Sequence, residues 1–211
     1  LAILLNLANS NGQDLQIDVA LKIGSIKSEV VEKSILDKDG NIYLTGYFEG
    51  TVDFDPGNNV LNLTSNGGLD AFIVKLNPNG ELIWARGFGG PKDDGSKSLL
   101  IDNQNNVYLI GTFEDSVDFN SNSNDAKVKS NGGYDVFTLK LDYNGDFKWV
   151  QSYGGPADDF ARDLVINSKD KITLTGTFYG TVDFDPSTNN YFLTSTEYDI
   201  YLNSINSVLN D

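Results

Sequence analysis

The chain has no cysteine, no histidine and no methionine in 211 residues. Without cysteine there is no disulfide, no thiolate nucleophile and no sulfur-ligated metal. Without histidine the commonest general base and the commonest transition-metal ligand are both missing. Serine and threonine are plentiful, but with no histidine and no Gly-x-Ser-x-Gly motif they make no case for a nucleophile. No apolar run reaches the ~18 residues of a membrane-spanning helix. Leu1-Ala2-Ile3-Leu4-Leu5 is too short for a signal peptide, and no basic residue precedes it. With no methionine even at position 1, the chain is expected to be a processed or excised piece. Positive charge is scarce: 15 basic residues face 30 acidic ones, a net charge of −15. That balance argues against nucleic acid and against docking on anionic lipid. Solubility accounts for the acidity, and cation binding is the alternative.

What is present is a repeat. GYFEGTVDFDP at 46–56 recurs as GTFEDSVDFNS at 111–121 and as GTFYGTVDFDP at 176–186, each step being 65 residues. Ser65-Asn66-Gly67-Gly68-Leu69-Asp70 returns as Ser130-Asn131-Gly132-Gly133-Tyr134-Asp135. Trp84 returns as Trp149, and Gly89-Gly90-Pro91 as Gly154-Gly155-Pro156. A fixed period defines a repeat architecture.

Within each period, short apolar runs alternate with turns. Asn77-Pro78-Asn79-Gly80 and Asp142-Tyr143-Asn144-Gly145 read as hairpin turns, with Asn9-Ser10-Asn11-Gly12 as an earlier, longer copy. The strand after them places Ile17, Val19 and Leu21, Leu82 and Trp84, or Phe147 and Trp149 on one face. A Gly-rich corner follows, decayed in the first copy to Gly24-Ser25-Ile26. The strands Ile42-Tyr43-Leu44-Thr45-Gly46, Val107-Tyr108-Leu109-Ile110-Gly111 and Ile172-Thr173-Leu174-Thr175-Gly176 carry residues suited to packing on both faces. Their recurrent glycine marks the close approach of another backbone.

Each unit therefore supplies about four strands with apolar residues on both faces, which must stack on a neighbour. Radial stacking gives all-β propeller blades of four antiparallel strands; a linear solenoid is the alternative. The expected division is a partial blade at 1–33, blades at 34–88 and 99–153, and an incomplete blade at 164–206. About three blades do not close a ring of ~4–8. A segment of a larger propeller is expected, completed by further blades or by a second copy.

Gly-Gly-Pro-x-Asp-Asp at 89–94 and 154–159, Tyr-Leu-x-Gly at 43–46 and 108–111, and Gly-Gly-x-Asp-Ala/Val-Phe-x-x-Lys-Leu at 67–76 and 132–141 resemble the SBBP family of bacterial β-propeller repeats. The resemblance covers nearly the whole chain. It is similar to copies in secreted and cell-surface proteins of the Bacteroidetes, often exported by the type IX system. It implies a propeller in an extracellular setting and no defined catalytic activity.

Several residues could carry chemistry. Asp53 and Asp55, repeated as Asp183 and Asp185, are candidate Ca²⁺ ligands, since carboxylates two apart on an extended chain point the same way. The competing reading is that they cap the turn before Pro56 and Pro186. Asp93-Asp94 and Asp158-Asp159 could serve glycoside chemistry, but adjacent strand residues point to opposite faces and an active site does not recur in every repeat. Asp70, Asp135 and Asp199 are expected to bind backbone N–H groups of the preceding turn. Trp84 and Trp149 are expected in the core, with the indole N–H bonded internally, rather than as sugar platforms. The expected function is a non-catalytic extracellular scaffold with no bound cofactor. It would meet protein or glycan through the variable loops at 56–59, 121–125 and 187–190. The alternatives are a Ca²⁺-dependent glycan-binding module and part of a propeller glycosidase or lyase.

Overall fold

The computed structural model describes residues 2–6, 17–120, 126–168, 171–185 and 190–206. The predicted turn at 9–12, the loop at 121–125 and most of the loop at 187–190 lie outside them. The described elements are all strands. A two-stranded sheet pairs β1 (Ala2–Asn6) with β2 (Ile17–Lys22). The first full sheet has β3 (Glu29–Leu36), β4 (Ile42–Asp53), β5 (Asn62–Leu76) and β6 (Leu82–Phe88), in that order. The second repeats it with β7 (Gly95–Ile101), β8 (Val107–Asp118), β9 (Lys127–Leu141) and β10 (Phe147–Tyr153). The third has β11 (Phe160–Ile166), β12 (Lys171–Asp183) and β13 (Phe192–Asn206). All pairings are antiparallel.

The strands run further than the apolar runs suggest. The first strand of each sheet begins at Glu29, Gly95 or Phe160, earlier than the expected blade starts at 34, 99 and 164. These opening residues are mostly polar or small, so alternation does not reveal them. Likewise, the stretch before Ser65 and the strand after Asp70 are one element, β5. Ser65-Asn66-Gly67-Gly68 swells out of it opposite Gly50, between the pairs Thr51↔Thr64 and Glu49↔Leu69. Gly50, with φ 74°, turns the facing strand there. Asp115 holds the same position in the second sheet with φ 64°, a conformation that Asp tolerates better than most residues.

The first and second full sheets bury both faces, and the third buries one. Tyr43, Ala71, Ile73 and Trp84 of the first sheet pack with Leu99, Leu109, Phe113 and Phe137 of the second. Tyr108, Ile110, Val136 and Tyr153 on the far side of the second pack with Leu164, Leu174, Phe178 and Tyr201 of the third. Ile23 and Leu21 cover Leu44, Phe48 and Phe72 on the near side of the first. A buried aromatic or aliphatic side chain contributes about 1.5–3 kcal/mol, so these interlayers dominate stability. The far side of the third sheet leaves Val165, Ile200 and Leu202 exposed. At the matching positions Ala71, Ile73, Val136 and Thr138 are buried by the following sheet. The first strands β3, β7 and β11 lie side by side, and the sheets fan out from them. The architecture is propeller-like, and the described residues do not close a ring.

The recurrent glycine of the second strand has a specific cause. Each first strand is bulged where it faces that glycine, between Val31 and Lys33, Ser96 and Ser98, and Ala161 and Asp163. The bulge lays a carbonyl on the glycine. A Cβ on Gly46, Gly111 or Gly176 would stand 1.8, 2.1 or 2.0 Å from the oxygen of Val30, Gly95 or Phe160. Gly111→Ala is expected to cost about 1–3 kcal/mol through overpacking, read as a lower urea midpoint. Gly180→Ala, where nothing lies within 4 Å of the added Cβ, is expected to lose only about 1 kcal/mol through its positive φ.

Candidate functional site

The corner between sheets is a clasp built from carboxylates. At the first junction, Asp94 Oδ2 accepts Gly90 N at 2.7 Å and its Oδ1 accepts Glu114 N of the next sheet at 3.1 Å. Asp94 N donates to Leu69 O at 2.6 Å. Asp93 Oδ1 accepts Leu69 N at 2.9 Å. The second junction repeats every bond: Asp159 takes Gly155 N and Tyr179 N, and Asp158 takes Tyr134 N. The decayed first corner keeps part of it. Glu29, 65 residues before Asp94, accepts Ser25 N at 2.8 Å.

Asp70 and Asp135 tie down the neighbouring bulge, accepting Asn66 N and Asn131 N through Oδ2 at 3.0 Å. Their Oδ1 atoms are buried with no hydrogen-bond partner among the described residues. Asp199 instead accepts Ser195 Oγ at 2.8 Å. Close packing against Gly89 and Gly154 leaves no room for a Cβ, which would meet the Asp70 or Asp135 carboxyl carbon at 2.1 Å.

Burial pushes Asp70 up to about 6, against hydrogen bonds from Asn66 that pull it down. Burial likewise lifts Asp94 and Asp135 to about 7, helped by the charges of Asp70 and Asp159 respectively. Asp159 is raised by the same cause. These pairs are thus repeated joints, and acid–base catalysis is not needed to explain their altered affinity for protons.

The Ca²⁺ candidates sit at the hairpin tips. Asp53 Oδ1 accepts Asp55 N at 3.0 Å and Leu61 N at 2.9 Å, and Asp55 Oδ1 accepts Gly57 N at 2.7 Å. Asp183 Oδ1 accepts Asp185 N and Tyr191 N at 3.0 and 2.8 Å. Among the described residues no three acidic side chains are grouped to hold a metal ion. No described helix is long and apolar enough to cross a membrane.

Trp84 and its neighbours form a second joint. Its indole N–H donates to Tyr143 O, in the hairpin turn of the next sheet, at 3.1 Å. Arg86 donates to Gly145 O and Asn144 O of the same turn. Lys75, wholly buried, places its ammonium 3.2 Å from the centre of the Tyr143 ring. Burial lowers the Lys75 pKa, opposed by Asp37 and Asp39. The matching Trp149 N–H is buried with no partner among the described residues.

The surface that composition and motif did not flag lies along the first strands. The bulged residues there are Glu32, Lys97 and Arg162. Lys97 Nζ meets Glu32 Oε1 at 2.5 Å across the sheets, and Ser98 Oγ donates to Asp163 Oδ1 at 2.5 Å. A cavity of about 300 Å³ lies along them, lined also by Lys33 and Arg162. Beside it is a cleft of about 410 Å³ walled by Tyr47, Tyr134 and Phe160. From there a row of rings crosses the third sheet: Tyr134 to Phe160 at 5.8 Å, Phe160 to Tyr198 at 6.1 Å, Tyr198 to Tyr179 at 5.7 Å. The 65-residue step puts Glu32, Lys97 and Arg162 at matching positions, but nothing in the sequence shows that those positions meet.

No family model matches the chain. It is 28% identical over 127 residues to an uncharacterized WD repeat-containing protein of Acanthamoeba polyphaga mimivirus, covering 54% of this chain and 9% of that protein. It is 27% identical over 169 residues to the regulatory protein FlaEY of Caulobacter vibrioides, covering 78% and 17%. The chain thus spans less than a fifth of either curated relative. The first similarity and the all-β sheets agree on a propeller-like repeat protein.

Two outcomes are expected. Unfolded aspartate titrates near 3.8, whereas folded Asp70, Asp94 and Asp135 take up protons near 6–7. Their contribution to stability is full below the unfolded value and is lost as pH rises through 6–7. The melting temperature should therefore rise as pH falls from 8 to 5, and Asp94→Asn with Asp135→Asn should flatten that rise. At the hairpin tip, Asp53→Ala should cost about 1 kcal/mol for the lost amide bonds in urea unfolding. Calcium chloride is expected to leave the melting temperature of the parent chain unmoved; a calcium-dependent rise, lost in Asp53→Ala, would favour Asp53, Asp55, Asp183 and Asp185 as ligands.

Proposed function

We propose that this chain is a non-catalytic interaction scaffold whose propeller-like blades present one edge to protein partners. The observation that carries the reading is a division of labour. The acids that recur every 65 residues, and the Trp84 indole with them, are engaged in joining strand to strand and sheet to sheet. The exposed and half-buried residues in and around the cleft and groove differ from copy to copy. Glu49 and Glu114 give way to Tyr179, Leu69 to Tyr134 and Tyr198, and Glu32 to Lys97 and Arg162. Rigid sheets that carry varied surface residues suit recognition. The relative whose name records WD repeats supports a repeat scaffold of this kind. The resemblance to SBBP repeats supports a place outside the cell or on a bacterial surface, with further blades or a second copy completing the ring. The exposed row of rings favours a second reading, glycan binding, because sugars also stack on aromatic faces.

Selection of a random-peptide phage library on the immobilised chain tests this, run beside a glycan array and a panel of polysaccharide substrates. The expected result is a family of related peptides, competed by one soluble member and lost when the chain is unfolded in urea. Turnover of a polysaccharide, or saturable glycan binding with no enriched peptide, would overturn it.

A further inference from the structure

Each first strand carries one bulge, and each bulge falls on a charged residue. A bulge re-aims its side chain. Here Glu32, Lys97 and Arg162 all line the groove between the first strands. The first two neutralise each other at 2.5 Å. The third repeat breaks the alternation by placing a cation after a cation. Among the described residues the Arg162 side chain has no ion pair and no hydrogen bond. On the adjacent rung Asp163 is bonded to Ser98 Oγ and Leu164 N, and the Lys33 side chain has no ion pair or hydrogen bond among the described residues. The groove thus holds three cations and two carboxylates, and both carboxylates are already engaged. This surplus stands against a chain with twice as many acids as bases.

The chain has only two arginines, and the other shows how an engaged one is held. Arg86 donates to Ala85 O at 3.0 Å and Gly145 O at 3.1 Å, and lies 3.7 Å from Asp146. Arg162, exposed between two cavities, finds no acceptor for its planar fork of donors among the described residues. Such a fork matches an oxyanion in bidentate fashion.

We propose that the groove bounded by Lys33, Lys97 and Arg162 binds an oxyanion, and that its ligand is a carboxylate presented by a partner protein. The choice of carboxylate over phosphate follows from the neighbouring wall. Asp93 lines the cleft that Arg162 also lines, and its carboxylate repels a doubly charged group more than a singly charged one. Tyr134 and Phe160 offer apolar surface to the rest of the ligand. The side-chain carboxylate of glutamate or aspartate and the free carboxylate at the end of a polypeptide share this chemistry. That the carboxylate belongs to a protein rests on the scaffold reading above; the oxyanion site itself does not.

The two arginines make a direct test. The Nε–Hε resonances of Arg86 and Arg162 are followed by NMR in the whole chain. Three probes are titrated: an N-acetylated, C-amidated Pro-Phe-Glu peptide, an N-acetylated Pro-Phe peptide with a free C-terminus, and inorganic phosphate. The expected result is a saturable shift of Arg162 with one or both peptides, while Arg86 stays still. The peptide with the lower dissociation constant identifies the carboxylate source. Arg162→Gln and Lys33→Gln should each weaken binding about tenfold, the loss of one charge-assisted contact, with the melting temperature unchanged. Equal, non-saturating shifts of both arginines, or unchanged affinity in Arg162→Gln, would overturn the site. Tighter binding of phosphate than of either peptide would overturn its assignment to a protein carboxylate. Phage-selected peptides that still bind Arg162→Gln at full strength would sink this site and leave the scaffold reading standing.

Discussion

The contact on which the rest depends is the buried carboxylate at each junction between sheets. Asp94 and Asp159 lie almost without solvent exposure, each holding two backbone N–H groups that belong to different segments. Burying a carboxylate is unfavourable, as their raised proton affinity shows. The compensation is geometric. One side chain satisfies an amide of the Gly-Gly corner and an amide of the next sheet, which would otherwise be buried and unpaired. The glycines serve the same joint: a Cβ on Gly90 or Gly155 would stand 2.2 or 2.5 Å from a carbonyl of the following hairpin.

Because the joint fixes the angle between sheets, it also fixes which strands converge. The first strands meet at the inner edge, and their bulges turn charged side chains toward one another. A single feature therefore has two effects. The bulge requires Gly46, Gly111 and Gly176 in the second strand, and it gathers Glu32, Lys97 and Arg162 into one groove. The first is repeated without variation, while the second varies freely, because a side chain in an open groove meets no packing constraint.

The first corner shows how far an interaction can outlast its motif. Gly-Gly-Pro-x-Asp-Asp is absent there, yet Glu29 reaches Ser25 N much as Asp94 reaches Gly90 N. A glutamate is one methylene longer, so the geometry survives a change of residue and of local sequence.

The sheets, their two apolar faces and the 65-residue step were legible in the chain because period and alternation are local properties of the residues themselves. The tight packing at Gly111 could be anticipated for the same reason; the internal hydrogen bond expected of both tryptophans is made by Trp84, while Trp149 finds no partner among the described residues. The starts of the first strands were not legible, because Glu29, Gly95 and Ser96 carry no alternation. Nor was the union of the residues before Ser65 with the strand beyond Asp70 in one element, β5, since Ser65-Asn66-Gly67-Gly68 has the composition of a turn while serving as a swelling within a strand. The groove at the inner edge was hidden altogether. Its charged residues lie 65 positions apart, and only the angle at which one sheet leans on the next decides whether they meet. Local pattern determines the blade; the partnership between blades is a matter of long-range geometry, set by where buried carboxylates find their amides.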